Sequence, residues 1–127
     1  MADVNRGNRP LSPHLSIYRL PSSAITSILN RATGNGLLLS ALMIVWWLLA
    51  AATGPDYFAV ADAVVRSLIG QIILIGSLWA VWYHLMAGLR HLYWDSGRGL
   101  EKEKSGLLSA LVVIGSVVMT AVSLFLI

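Results

Sequence analysis

Between His84 and Gly97 the chain reads HLMAGLRHLYWDSG, placing two histidines, an arginine and an aspartate within fourteen residues. At about 100° per residue, His84, Gly88, His91 and Asp95 fall on one face of a helix. Ser77, Ala80 and Val81 extend that face backwards with small side chains. His84 lies in apolar sequence, six residues before the first charge, Arg90. An imidazole beside small residues inside a bilayer can ligate the metal of a flat cofactor such as haem. The plainer alternative is a histidine hydrogen-bonded to a neighbouring helix, and the residues alone weigh the two readings about equally.

A second pair with chemical potential is Ser27 and Arg31, one helical turn apart. A hydroxyl and a guanidinium are both donors. An arginine at the edge of an apolar segment is costly unless it snorkels to the interface or meets an anion. Lipid phosphate is one such anion. A haem propionate, or the polar head of a ligand held also by Ser27, is another.

The elements that must position these groups are membrane spans. Of 127 residues, 57% are hydrophobic and only 12% charged, and mean hydropathy is +0.73. A soluble domain carries about twice that share of charge, ~25%. The composition specifies a one-domain, all-α integral membrane protein. The absence of cysteine excludes a disulfide and a cysteine-ligated iron–sulfur cluster. A net charge of +3 and a pI near 9.7 would suit nucleic acid, but the placement of the charges argues for membrane topology instead.

Residues 1–21 read as a polar N-terminal arm with Arg6, Arg9, Arg19, Pro10, Pro13 and Pro21. No short apolar core with a small-residue cleavage site follows the arginines, so the arm is not read as a signal peptide. Pro10 and Pro13 favour an extended course on the membrane surface. Pro21 suits a first helical turn, with Ser22 or Ser23 as cap. Residues 22–127 then form a three-helix anchor with spans at about 24–52, 67–94 and 107–127. The core Leu37–Ala52 is shorter than the ~20 residues a span needs, so the first helix must begin earlier and include Ser27, Asn30 and Arg31. Gly34 and Gly36 permit close approach of a helix or ligand. Thr53-Gly54-Pro55-Asp56 is a turn signal, and 54–66 reads as a short connection. Asp95–Gly106 reads as a charged loop. Ser109, Ser116, Thr120 and Ser123 mark a packing face on the third span.

Three spans place the termini on opposite sides. Arg6, Arg9, Arg19 and Arg31 flank one side with Arg90, Arg98, Lys102 and Lys104, leaving only Arg66 of the nine basic residues on the other. The positive-inside rule makes the first side cytoplasmic, or matrix in a mitochondrion. The C-terminus then faces the periplasm or intermembrane space of an inner membrane. Ser27, Arg31 and His84, about 9 Å from the end of its helix, share one half of the bilayer. His84 and His91 cannot clamp one iron. Axial nitrogens lie ~4 Å apart, given metal–imidazole bonds of ~2 Å, whereas two helical turns separate these residues by ~10.5 Å. A bis-histidine haem would need its second ligand from another chain.

Two motifs make the sequence similar to a known family. One runs through Arg9-Pro10-Leu11, Ser12-Pro13-His14-Leu15 and Ser27-x-x-Asn30-Arg31-x-Thr33-Gly34. The other is His84-x-x-x-Gly88-Leu89-Arg90-His91-Leu92-x-Trp94-Asp95-x-Gly97. The chain resembles the large cytochrome b anchor subunits of succinate dehydrogenase, respiratory complex II, over nearly its whole length. The Ser-Pro-His arm looks like the mitochondrial and alphaproteobacterial branch.

That resemblance implies an oxidoreductase subunit that catalyses nothing alone, one half of a heterodimeric haem-binding helix bundle. His84 matches the haem axial-ligand position, and the small anchor subunit would supply the other histidine. Ser27 and Arg31 match the ubiquinone-binding positions, with Arg31 also near the haem propionates. Ile28 and Leu20 would line the quinone pocket, Gly88 would pack on haem b, and His91 would orient a propionate or a docking subunit. The family's usual histidine before the arginine is Asn30 here, which can donate a hydrogen bond but cannot carry charge. An iron–sulfur protein and a flavoprotein would dock on the cytoplasmic or matrix face; no nucleic acid is implied. Arg90 is expected to anchor to lipid head groups and Asp95 to cap the following loop. Two other readings remain: a fumarate reductase anchor working in reverse, and a haem-free structural or transport subunit in which His84 only packs.

Overall fold

The computed structural model describes residues 18–127. Most of the expected arm, with Arg6, Arg9, Pro10, Pro13 and His14, lies outside the described residues. Four helices follow in order: α1 Ser22–Thr53, α2 Pro55–Arg66, α3 Leu68–Asp95 and α4 Lys102–Leu126. Helices α1, α3 and α4 are each long and apolar enough to cross a membrane, as expected.

Helix α1 has 32 residues, or about 48 Å at 1.5 Å per residue. It exceeds a ~30 Å hydrocarbon core by several turns. Pro21 itself occupies the N-cap position, without a side-chain cap bond. The expected serine cap is therefore replaced by a proline at the boundary. The carbonyls of Ser22 and Ser23 instead accept from Thr26 Oγ1, at 2.9 and 3.1 Å.

The 54–66 connection is a helix rather than a loop. Gly54 has φ 152°, a region that essentially only glycine occupies, and it turns the chain between α1 and α2. Pro55 stands in the first turn with Asp56, and Arg66 in the last, matching the proline preference and the helix dipole. Phe58, Ala61, Asp62 and Val65 point inwards while Val60 and Val64 remain exposed. Trp46 Nε1 donates to Tyr57 Oη at 2.8 Å, and Trp47 Nε1 to Asp62 Oδ1 at 3.3 Å. Asp62 also pairs with Arg66 at 2.6 Å. The two tryptophans thus fold α2 back over the end of α1.

Helix α3 is central, packing on α1 and α4, which also touch one another. Its inner face is Ala80, Tyr83, Ala87 and Arg90, spaced three, four and three residues apart as one helical stripe requires. Tyr83, Ala87 and Val112 form a buried cluster with Leu29, Trp79 and Met86 around it. Hydroxyls tie the helices together: Ser40 with Ser77 at 2.5 Å, Trp79 with Ser116 at 3.2 Å, and Trp82 with Ser123 at 3.0 Å. The predicted packing face of α4 is borne out, since Ser109, Ser116 and Thr120 are buried. Each such bond contributes about 0.6 kcal/mol in a membrane.

The loop after α3 is short, because α4 begins at Lys102. Glu101 precedes it, its carboxyl held below the usual range by its own backbone N–H and by the Lys104 ammonium. Asp95 is exposed at the last position of α3. Ser67 caps the start of α3, accepting from the Gly70 N–H at 3.1 Å. Here glycine is a packing requirement: a Cβ on Gly70 would run into the carbonyl oxygens of Val64 and Val65. Both obstacles are backbone, so neither can swing aside. Gly70→Ala should force α2 and α3 apart and lower the thermal unfolding midpoint of the solubilised chain, whereas Gly36→Ala, where a Cβ meets nothing within 4 Å, should leave it within a degree or two of wild type (about 0.5 kcal/mol or less). Circular dichroism of the two variants in detergent provides the comparison; equal midpoints would contradict the packing account.

Candidate functional site

The residues singled out by chemistry gather where α1 begins and α3 ends. Antiparallel packing brings Asn30 of α1 beside His84 of α3. His84 Nδ1 lies 3.2 Å from the backbone oxygen of Asn30. A carbonyl oxygen can only accept, so Nδ1 carries the proton and Nε2 keeps its lone pair. The ring sits close against Gly34, where an added Cβ would be 3.1 Å from Cε1 and 3.5 Å from Nδ1. The missing side chain of Gly34 is what admits the imidazole between the helices.

This arrangement fits an axial ligand. A metal-bound histidine commonly donates its other N–H to a carbonyl, which fixes the ring and raises its basicity. His84 is exposed on the bundle surface, so its free nitrogen is accessible to a group held between this chain and another. Toward the far end, Gly36, Ser40, Gly76, Ser77 and Ala80 line a shallow groove of about 340 Å³. A Cβ on Gly88 would also meet open space. Small residues thus lie on the His84 side of the groove, while Leu39, Met43 and Ile73 complete its lining.

Ser27 is half-buried and lines a different recess. With Ser23, Ala24, Trp94, Leu100 and Ser105 it borders a cleft of about 330 Å³ between the start of α1 and the α3–α4 loop. Arg31, one turn further along α1, is exposed. Leu20 and Ile28 are 45% and 53% exposed and do not line this cleft, so an apolar wall built from them faces outward. His91 is half-buried and meets Trp94 edge-on at 5.2 Å. The structure therefore joins His84 to Asn30 and Gly34, and Ser27 to Trp94 and Ser105, on adjoining faces of one end of the bundle.

Arg90 requires a correction. It is 3% exposed and does not reach the lipid head groups. Its Nη1 donates to Thr26 Oγ1 at 2.6 Å and to Ser109 Oγ at 3.0 Å, and its guanidinium lies 4.6 Å from the centre of the Trp94 ring. Tyr83, wholly buried, donates to the carbonyl of Thr26 at 2.9 Å. Thr26, Tyr83 and Ser109 carried no individual role in the sequence reading. Their signal was spacing: Tyr83 and Arg90 are seven residues apart on the inner face, so both must point inwards.

The chain has relatives among known proteins. Residues 5–124 match the family of succinate dehydrogenase/fumarate reductase transmembrane subunits. The chain is 60% identical over 124 residues to the succinate dehydrogenase cytochrome b556 subunit of Paracoccus denitrificans, covering 98% of this chain and 95% of that one. It is 38% identical to the subunit of the same name from Rickettsia conorii, covering 88% and 87%. It is also 35% identical to the mitochondrial succinate dehydrogenase cytochrome b560 subunit of Sus scrofa, covering 73% of this chain and 56% of that one.

The His84–Asn30 contact makes a measurable prediction. Nitrogen-15 NMR of histidine-labelled chain free of cofactor should show His84 protonated at Nδ1. Gly34→Ala, by pushing on the ring, should weaken that hydrogen bond and move the resonance toward a mixture of tautomers. A wild-type ring protonated at Nε2 would refute the assignment.

Proposed function

The chain belongs to the succinate dehydrogenase/fumarate reductase transmembrane subunit family, and from that premise we propose that it is a cytochrome b anchor which co-ligates haem b and borders the ubiquinone site of a succinate:ubiquinone oxidoreductase. The observation that carries the proposal is the hold on His84: Nδ1 is bonded to Asn30, Nε2 is left available, and the residue is exposed on the bundle surface. A histidine that served packing alone would be enclosed by neighbouring side chains. The relatives named above are succinate dehydrogenase subunits, which favours the succinate-oxidising direction.

In this reading His84 would hold haem b together with a histidine of the smaller anchor subunit. Haem, when bound, supplies a one-electron redox centre within the membrane. Asn30 orients the imidazole through its backbone, so the family's usual histidine at that position is dispensable for this contact. Arg31, exposed one turn beyond Ser27, would meet a propionate or a quinone oxygen. Ser27 presents its hydroxyl in the cleft beside Trp94, where a quinone carbonyl can accept a hydrogen bond. Electrons removed from succinate by the flavoprotein would reach the quinone through the iron–sulfur protein. Two electrons and two protons convert it to the quinol. Neither Ser27 nor Arg31 changes oxidation state; both position the quinone and stabilise charge developing on its oxygen.

The end bearing these groups faces the cytoplasm or matrix. Around it lie Arg19, Arg31, Arg98, Lys102 and Lys104, while Arg66, the only basic residue of the α2 end among the described residues, is paired with Asp62. Removing Arg90 from the set of loop charges leaves the bias intact. A reporter fused after Ile127 should accordingly be active on the periplasmic side; activity on the cytoplasmic side would reverse the orientation.

Two substitutions test the site in the assembled complex. His84→Ala should alter or abolish the reduced b-type spectrum while succinate oxidation with a soluble acceptor persists. Ser27→Ala should leave the spectrum near normal and lower quinone-dependent turnover by ten-fold or more, as expected for loss of a donor contributing ~2–4 kcal/mol in the transition state. An unchanged spectrum in the first variant overturns the haem assignment, and unchanged quinone turnover in the second overturns the quinone assignment.

A further inference from the structure

We propose that Arg90 is a positioning residue: by joining Thr26 of α1 and Ser109 of α4 to α3, it sets the level at which α1 lies against α3, and with it the places of His84 and Ser27. It touches neither haem nor quinone. The inference rests on the functional reading above and adds a residue to it.

The geometry is a four-residue knot. Arg90 Nη1 donates to the hydroxyls of Thr26 and Ser109, and Tyr83 Oη donates to the Thr26 carbonyl. Thr26 Oγ1 is also within 3.4 Å of Ser109 Oγ. All four side chains belong to buried residues. Thr26 immediately precedes Ser27, and Tyr83 immediately precedes His84. The knot therefore grips both helices one residue away from the two groups it is proposed to place. The His84–Asn30 bond lies one turn further along α1. A slide of α1 by even one residue, about 1.5 Å, would break it and bring Gly34 out of line with the imidazole.

Helix packing alone does not call for a guanidinium here. No carboxylate pairs with it among the described residues, and its Nε and Nη2 find no partner among them. A buried cation in such a setting is destabilising relative to a well-packed apolar side chain of similar size. Apolar packing also permits sliding, because dispersion contacts are not directional. Two hydroxyls at fixed heights on two other helices, met by one rigid planar group, do not permit it. The stacking of Arg90 on Trp94 holds the guanidinium plane and links it to a wall of the Ser27 cleft. Charge and packing thus point to register rather than to stability.

The test uses the assembled complex carrying Arg90→Met, Arg90→Lys or Thr26→Val, with wild type and Ser27→Ala alongside. Haem content, the low-spin haem signal, quinone KM and kcat, and soluble-acceptor turnover are measured for each. Arg90→Met should assemble with full haem, show a shifted haem signal, and raise quinone KM about five- to ten-fold, the effect of roughly one lost hydrogen bond. Soluble-acceptor turnover should not change. Thr26→Val should move the same readouts in the same direction. Arg90→Lys, which can still donate to two hydroxyls, should recover most of the KM. Assembled Arg90→Met and Thr26→Val complexes with wild-type haem signal and KM would overturn the proposal. So would failure of Arg90→Met to assemble beside a wild-type Thr26→Val complex, because Arg90 would then serve stability alone. If Ser27→Ala leaves quinone turnover intact, it is the quinone reading that fails, and the haem signal then decides the role of Arg90.

Discussion

Thr26 is where three helices meet at one height. Its hydroxyl accepts from Arg90 and its carbonyl from Tyr83, while Ser109 brings α4 to the same point. In a bilayer the hydrophobic effect gives helices little reason to choose one neighbour or one level over another, since lipid is as apolar as leucine. Directional bonds must make that choice. Further from this point the ties are single bonds: the Ser40 and Ser77 hydroxyls pair, and the Trp79 indole N–H donates to the Ser116 hydroxyl. These align the far halves of helices already matched at Thr26.

The surroundings of His84 show how little a membrane bundle needs in order to fix an imidazole. One backbone oxygen sets the protonated nitrogen of His84, and one missing Cβ, at Gly34, gives the ring its place. Neither contact needs a charged partner. This explains how position 30 can carry asparagine without disturbing the imidazole: the contact comes from the main chain, which every residue type possesses.

The three spans were legible because apolar length is a global signal, robust to any single residue. His84 stood out because a lone imidazole in such a segment is costly enough to be conspicuous, and the structure sets it against Asn30 and Gly34. Helix α2 was not, although Pro55, Asp56 and Arg66 all mark helix ends. Its apolar face only makes sense once Trp46 and Trp47 are known to fold over it, and that is tertiary information. Arg90 was misread for a related reason. An arginine six residues after the histidine looks interfacial when depth is counted along the axis. Its actual environment depends on azimuth, and the seven-residue step from Tyr83 directs it to the interior. The partition of Ser27 and His84 onto separate faces was likewise hidden, because a shared end of the bundle does not imply a shared recess.

The excess length of α1 has a further consequence. A helix of about 48 Å in a ~30 Å hydrocarbon layer either tilts or extends into the head-group zone. Its connection at Gly54 to α2, which lies folded over that end, restricts protrusion there, so the surplus turns belong to the end that begins at Ser22. Ser27 and Arg31 are then at the boundary with water rather than beneath it. A group held at that depth exchanges protons directly with the aqueous phase. No carboxylic acid lies between Arg31 and Thr53, between Leu68 and Trp94, or between Leu107 and Ile127, so the spans offer no relay of buried carboxylates through the membrane.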